Sequence, residues 1–331
     1  MERQPGEARI EQVGAGFWCL RLPLPYPAPG YVNSYLLAMT DGYCLVDCGT
    51  SLAPGWAALE YALTQARVQP DEIRVLVCTH PHSDHAGLAA TVVERTGCEV
   101  ARGAGPEAVI DSLRDPAIPL EVRRRAGLRE GIPPVELDEW VDVMLADDGR
   151  HVRLEPTRVL ADGDEVDERL RSWRAIAIPG HSASQIALFN QDEGWLISAD
   201  LAYEGVRPFI EYGYTADPYG DHLRSLARAQ ELGSQRLFPG HGPPADDPSA
   251  RLTAAREAAT DAHDRIRQAI GRAPRTGHEI ALEVVNGDDD HERRQSTLSV
   301  VLCVLEHLEG RGQVTSHVDP SGVRRFSVPL P

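Results

Sequence analysis

The stretch THPHSDHAG, residues 79–87, places three histidines and an aspartate between positions 80 and 85. Histidine is common in polar turns, so a solvated loop is the plain alternative to a binding site, and the flanks decide between them. Upstream, IRVLV (Ile73 to Val77) is an apolar, β-branched run of strand length. Downstream, HAGLAATVVERTG has the composition of a helix that stops at Gly97. The histidines therefore sit in a strand-to-helix loop at the carboxyl end of a buried strand, where α/β proteins commonly carry their chemistry. His80 and His82 are two apart in an extended segment and project to one side. Asp84 and His85 follow as the chain turns into the helix, and they diverge enough to serve a second centre.

One loop cannot hold a metal alone, and three other strand ends supply matching side chains. AIAIPGHS carries His181, WLISAD carries Asp200 and RLFPGH carries His241, each just past an apolar run. The assignment that follows puts His80, His82 and His181 on one metal and Asp84, His85 and His241 on a second, with Asp200 bridging. Imidazole-rich ligation suits zinc, while iron and manganese also accept this donor set.

The ordered set T-H-P-H-S-D-H-A-G, P-G-H-S, S-A-D and P-G-H-G-P, preceded by LVDCGT (Leu45 to Thr50), resembles the metallo-β-lactamase superfamily of dinuclear hydrolases over roughly residues 10 to 245. The resemblance implies an α/β fold, an αββα sandwich with its metals in a cleft at one edge of two sheets. It also implies that Asp47 supports the site from behind. A bridging carboxylate at the place of Asp200 is usual in glyoxalase II-like thioesterases, lactonases and phosphodiesterases, and is generally lacking in true β-lactamases. Antibiotic hydrolysis is therefore not the expected activity. Cys44, Cys48 and Cys78 flank these motifs without occupying a ligand position and read as core thiols.

At 331 residues and 42% hydrophobic content, the chain can bury one large core and a smaller second one. Six cysteines without close paired spacing, no signal-like amino terminus and no apolar run of membrane-spanning length lead to the expectation of a cytoplasmic protein with no membrane partner. The net charge of −17 argues against nucleic acid or an anionic membrane surface. All 33 basic residues are arginine, which excludes a catalytic lysine.

Two hairpins are expected between residues 17 and 50, FWCLRLPLP and then VNSYLLAM with YCLVDCG around Thr40, Asp41 and Gly42. A helix follows from Trp56 to Ala66, and CEVARG is a strand. Residues 106–150 are too long for a crossover and read as a helical insertion, either a lid over the cleft or a decoration of the outer surface. Trp140, Val141 and Met144 recur there at helical spacing. Strand RSWRAIAI and the hairpin IALFNQDEGWLIS, turning at Gln191 to Gly194, restore the sheet. After Asp200, the segment EYGYTADPYGDHLRSLARAQELG brings Tyr212, Tyr214 and Tyr219 close to His222. These tyrosines either line a substrate pocket or form core edges, with Tyr214 the stronger candidate for the pocket. His222 either donates to a reacting group or is a surface residue at a helix start.

The proline-rich PGHGPPADDP marks a boundary, which divides the chain into a catalytic domain over residues 1–247 and a second unit over 248–331. Helices over Ala250 to Ala273, Gly277 to Val285 and Arg293 to Gly310, then a hairpin turning at Asp319, Pro320, Ser321 and Gly322, resemble a winged helix. Hydrolase followed by winged helix is similar to the β-lactamase-like protein 2 branch of the superfamily, some members of which cut RNA. From residue 250 onward, eleven arginines stand against twelve acidic residues, and Asp288, Asp289 and Asp290 precede the third helix. A nucleic-acid reader is normally basic on that face. The apolar LSVVLCVLEHL instead suits packing against the hydrolase or a second subunit, giving a structural or homodimer-forming wing.

A hydroxide held between two cations is available at neutral pH and attacks a carbonyl or phosphorus, with Asp84 orienting it and shuttling its proton. The acidity, the helical insertion and the aromatic segment favour a small or acyl-bearing substrate, hence ester, thioester or lactone hydrolysis. Competing readings are a phosphodiesterase or ribonuclease and, from another class, a binding module whose metals are structural.

Overall fold

The computed structural model describes residues 8–25, 29–114, 117–139, 152, 155–205, 208–285 and 291–329. Alternating side chains build its first sheet. Strands β1 (Arg9–Gly14), β2 (Phe17–Pro23), β3 (Tyr31–Ala38) and β4 (Tyr43–Val46) form an antiparallel meander. The sheet continues through β5 (Ile73–Cys78), β6 (Glu99–Gly103) and β7 (Arg158–Leu160), all parallel, to give seven strands in sequence order. The second sheet holds β8 (Glu165–Asp167), β9 (Leu170–Ala177), β10 (Ile186–Asn190), β11 (Trp195–Ala199) and β12 (Arg236–Pro239), in the order β12-β11-β10-β9-β8.

The two sheets pack face to face because every second residue is apolar toward the partner sheet. Tyr35 and Leu37 of β3, Cys44 and Val46 of β4, and Val75 and Val77 of β5 meet Trp173, Leu188, Ile197 and Phe238 from the second sheet. Phe17 anchors this layer, with ring centroids 4.7 Å from Phe238 and 5.7 Å from Trp173. The intervening residues Leu36, Leu45 and Leu76 face outward and are covered by Leu59 and Leu63 of helix α1 (Gly55–Ala66). The chain then passes through α2 (Ser83–Ala86), α3 (Ala89–Thr96), α4 (Glu107–Arg114) and α5 (Ala117–Arg129). Helix α6 (Pro218–Glu231) covers the other outer face, where its Leu226 and Ala229 pack on Ile176, Leu196 and Leu237. Helix, sheet, sheet and helix follow in four layers.

After β12 come α7 (Pro248–Ala269), β13 (Arg275–Thr276), α8 (Gly277–Val285), α9 (His291–Gly310), β14 (Thr315–Val318) and β15 (Arg324–Ser327). The three strands pair in the order β13-β15-β14. Ile266, Ile280, Val301, Leu305 and Phe326 form a second core, and Ile210 and Tyr219 from the sandwich side enter it. The second core is thus continuous with the segment that follows Asp200.

The expected single helix after the histidine loop is two helices. Backbone groups there are diverted to the loop after β4: Cys48 donates its N–H to the His85 carbonyl at 2.7 Å, and Leu88 donates to the Gly49 carbonyl at 3.1 Å. These bonds break the helical ladder and tie the two loops together. The expected stop at Gly97 is present, with that residue left-handed at φ 69°. The insertion begins with α4 and α5 and has further helix at 134–139, while Trp140, Val141 and Met144 lie outside the described residues, as do Asp288, Asp289 and Asp290. The end of α5 is fastened to the second core. The Glu130 carbonyl accepts the His278 N–H at 3.0 Å, and its fully buried carboxylate lies 3.0 Å from Arg129 and 3.7 Å from Arg324.

Candidate metal centre

Topology brings the candidate ligands to one edge. β10 is antiparallel to both β9 and β11, and β11 is parallel to β12, so β9, β11 and β12 share one direction. His181, Asp200 and His241 follow the carboxyl ends of these three strands. In the other sheet β4 and β5 are parallel, so Asp47 and the 79–87 loop also leave at one edge.

All seven sequence-derived candidates converge there. The donor atoms of His80, His82 and His181 lie within 4.8 Å of one another, as do those of Asp84, His85 and His241. His181 Nε2 is 2.9 Å from His82 Nδ1, and His241 Nε2 is 3.2 Å from Asp84 Oδ2 and 3.3 Å from His85 Nε2. Asp200 stands between the sets. Its Oδ2 is 3.5 Å from His181 Nε2 and 3.3 Å from His241 Nε2, and its Oδ1 is 3.3 Å from His85 Nε2.

The far side of several rings is closed by the protein, which fixes their orientation. Asp47 Oδ2 is 2.8 Å from His85 Nδ1, and the same carboxylate accepts the Thr79 N–H and hydroxyl, each at 2.8 Å. Thr79 Oγ1 is 3.0 Å from His80 Nδ1, and the Tyr31 carbonyl is 2.8 Å from His241 Nδ1. The loop carrying His241 is clamped by β3: Asn33 Nδ2 donates to the carbonyls of Pro239 and Gly242, and Tyr35 donates to that of Pro239 at 2.6 Å. Gly240 is required by proximity, since a Cβ there would stand 2.1 Å from Asp200 Oδ1 and 2.7 Å from His85 Cε1. Asp47 and Ala199, beside the Asp200 carboxylate, both adopt positive φ, 57° and 45°. Such backbone is uncommon away from glycine and collects at functional sites.

Electrostatics divide the cluster in two. Burial, reinforced by the neighbouring rings of His85, His82 and His181, holds His80 well below the usual histidine range. Burial likewise drives His181 down to about 3 against the pull of Asp200. In the other set burial opposes charge on His241, yet Asp200 and Asp84 outweigh it and lift the ring to about 10. His85 is raised for the same reason, with burial outweighed by Asp200, Asp84 and Asp47. Burial works against ionisation of Asp84 and Asp200, and His85 and His241 overcome it to hold both carboxyls low. The two carboxylates thus favour positive charge in this half of the cluster. His80 Nε2 and Asp200 Oδ1 are buried with no hydrogen-bond partner. Unpartnered buried donor atoms aimed into such a cluster are costly unless a cation completes them, so the residues present fit divalent metal ions.

A family model described as the metallo-beta-lactamase superfamily matches residues 27–241. The chain belongs to this superfamily. Over 313 residues it is 24% identical to a probable metallo-hydrolase, YqjP, of Bacillus subtilis, covering 90% of this chain and 93% of that protein. Over 227 residues it is 29% identical to the acyl-coenzyme A thioesterase MBLAC2 of Homo sapiens, covering 65% of this chain and 75% of that one. Its fold is similar to that of the metallo-beta-lactamase family protein TTHA1429 of Thermus thermophilus, with a TM-score of 0.81, 26% identity and coverage of 95% and 99% of the two chains. The family and the cluster together make this a metallohydrolase with a metal-binding site. Among the described residues no helix is long and apolar enough to cross a membrane.

In this superfamily member the residues after Asp200 split between two roles. Phe209 lies against the cluster, its ring 5.7 Å from His82 and 5.4 Å from His181. Tyr203 lies 5.2 Å from His241, and burial with the Asp200 and Asp84 carboxylates raises its hydroxyl well above the usual phenol range. The sequence reading passed over both, although each falls within nine positions of Asp200. Tyr212 and Tyr219 face the second core: Tyr212 donates to Glu306 at 3.0 Å, and Tyr219 donates to the Ala259 carbonyl at 3.2 Å. They are core edges. Tyr214 is half-buried. His222 is not a surface residue. It is 2% exposed, Gly180 presses against its backbone, and burial lowers its pKa to about 4. A cavity of about 710 Å³ begins at Asp200, Tyr203, Phe209 and His222 and runs along α7. All six cysteines are free and buried, among them Cys44, Cys48 and Cys78, the expected core thiols.

Proposed function

We propose that the protein is a dinuclear metallohydrolase that cleaves thioester or ester bonds of acyl substrates. The observation that carries this reading is Asp200, whose two oxygens reach both sets of imidazoles while the same residue lines a cavity of ligand size. His80, His82 and His181 would hold one ion and Asp84, His85 and His241 the other, with Asp200 shared. Two zinc ions so held would supply Lewis acidity and lower the pKa of water.

The chain's own residues do the rest. Asp84 is 22% exposed, whereas His85 and Asp200 are 0% and 4% exposed, so Asp84 can orient an attacking water and carry its proton outward. Tyr203 keeps its hydroxyl proton and can donate it as a hydrogen bond to the oxygen of the electrophile. Phe209 and the buried His222 wall the cluster and exclude water. Tyr214 is a candidate for the outer part of the substrate path. Residues 248–331 are read as a winged-helix-like unit whose first helix, α7, forms one wall of the cavity, and 106–150 as a lid fastened to that unit at Glu130. The thioesterase named above is one relative in keeping with an acyl substrate.

The test is a panel of thioester, ester, lactone, phosphodiester and RNA substrates offered to metal-loaded protein. The reading expects turnover of acyl substrates that is lost with the metal. Hydrolysis confined to phosphodiesters or RNA would replace it with the nuclease reading.

A further inference from the structure

The cavity that begins at Asp200 has a chemical character of its own. One wall is the α7 face carrying Ala250, Ala254, Ala255 and Ala258, which removes side-chain bulk and leaves an apolar track. Set into that wall is Arg251. Its side chain is only 15% exposed, its Nη1 is buried with no hydrogen-bond partner, and its Nη2 lies 3.6 Å from Glu204. A guanidinium has five donors in a fixed fork, and leaving one buried and unmet is costly. Of the other carboxylates lining the cavity, Asp246 pairs with Arg236 at 2.8 Å and Asp247 caps α7 by accepting the Ala250 N–H at 2.9 Å, while Asp261 lies ten residues further along α7, where Arg265 also lines the cavity. Glu204 is 65% exposed and therefore a weak, water-screened partner.

We propose that Arg251 is an anion-binding residue of the substrate site, and that it holds a phosphate or carboxylate on the thiol portion of an acyl thioester. The inference rests on the thioester reading above and specifies its substrate. Arg251 and Asp200 line the same cavity, so a thiol anchored at the guanidinium runs along the alanine track while its carbonyl reaches the cluster. An incoming oxyanion displaces Glu204, which is free to turn into water, and takes its place on the guanidinium by a charge-assisted bond. Glu204 competes for Arg251 when the cavity lacks such a group.

The experiment compares three thioesters of one acyl group, carried on a phosphorylated thiol, a carboxylate-bearing thiol and a neutral thiol. Wild-type protein is expected to favour a charged thiol in kcat/KM, and whichever anion is favoured identifies the group. In Arg251→Gln the ratio of charged to neutral kcat/KM falls about tenfold, mostly through KM, as expected for one charge-assisted contact. Arg251→Lys recovers most of the ratio. Glu204→Gln moves it the other way, raising the preference for the charged thiol about twofold to threefold, because the competing carboxylate is gone. A merely structural arginine would not produce opposite shifts from these two substitutions. Calorimetric titration with the phosphorylated and carboxylate-bearing thiols alone reads the same site without catalysis, with affinity about tenfold weaker in Arg251→Gln. Wild-type protein that hydrolyses all three thioesters without preference overturns the anion site and leaves the hydrolase reading standing. Protein that binds the charged thiol but cleaves no thioester does the reverse. An unchanged ratio and unchanged thiol affinity in Arg251→Gln overturn the proposal.

Discussion

Asp47→Asn is the most informative single change behind the cluster, because it removes one charge and alters almost no shape. Asparagine tolerates the left-handed φ of 57° nearly as well as aspartate, so the backbone has no reason to move. The carboxylate accepts three hydrogen bonds of 2.8 Å, from the Thr79 N–H, the Thr79 hydroxyl and His85 Nδ1. An amide offers an oxygen on one side only, and whichever way it turns, an N–H2 group faces a donor. One buried donor is left unmet, at a cost of about 1–3 kcal/mol. His85 loses the partner that fixes its ring, and such losses behind a ligand typically weaken metal binding or activity by about 10–100-fold. Metal affinity from competition with a chromophoric chelator, beside kcat for the best substrate, would measure this. Affinity and turnover both within about twofold of wild type would refute the idea that Asp47 orients His85.

His82→Ala should abolish turnover while circular dichroism and thermal unfolding report an intact fold, since the sandwich core does not include it; wild-type turnover would place the site elsewhere. Asp200→Asn should be nearly as severe, because a neutral amide is a poor link between two cations, and the retained metal per chain is the readout. Gly240→Ala should cost both metal and activity, because its Cβ would meet Asp200 Oδ1 at 2.1 Å; a fully metal-replete, active variant would contradict the close approach. Arg324→Ala should lower stability by about 1–3 kcal/mol, since the fully buried Glu130 loses one of its two arginine partners, and an unchanged thermal midpoint would argue against that network.

The site was more legible in the sequence than its surroundings. Each segment carrying a candidate ligand follows a run of apolar residues, and strand ends in an α/β sheet are placed by topology, so seven positions scattered over 162 residues could be gathered without coordinates. The turn tetrad 191–194 and the helix over Gly277–Val285 were also readable from local signals. Short strands such as β7 and β8 were not, because three residues carry no periodicity and are held by Arg158, whose guanidinium bonds Asp167 and the Val166 carbonyl. The burial of His222, which excludes the surface alternative, was not legible because an early helix position says nothing about burial; the Gly180 loop that covers it arrives from 42 residues away in the chain. Tyr203 and Phe209 carry no motif, and only the fold of the segment after Asp200 aims them at the imidazoles.

Elemental analysis of the gently purified protein, read beside its hydrolytic activity before and after chelation, tests the central claim most directly. The account predicts close to two equivalents of metal per chain, zinc foremost, with acyl-substrate hydrolysis lost on chelation and restored on reloading. A preparation that is fully active yet never exceeds one equivalent, or that keeps its activity when stripped of metal, would contradict it.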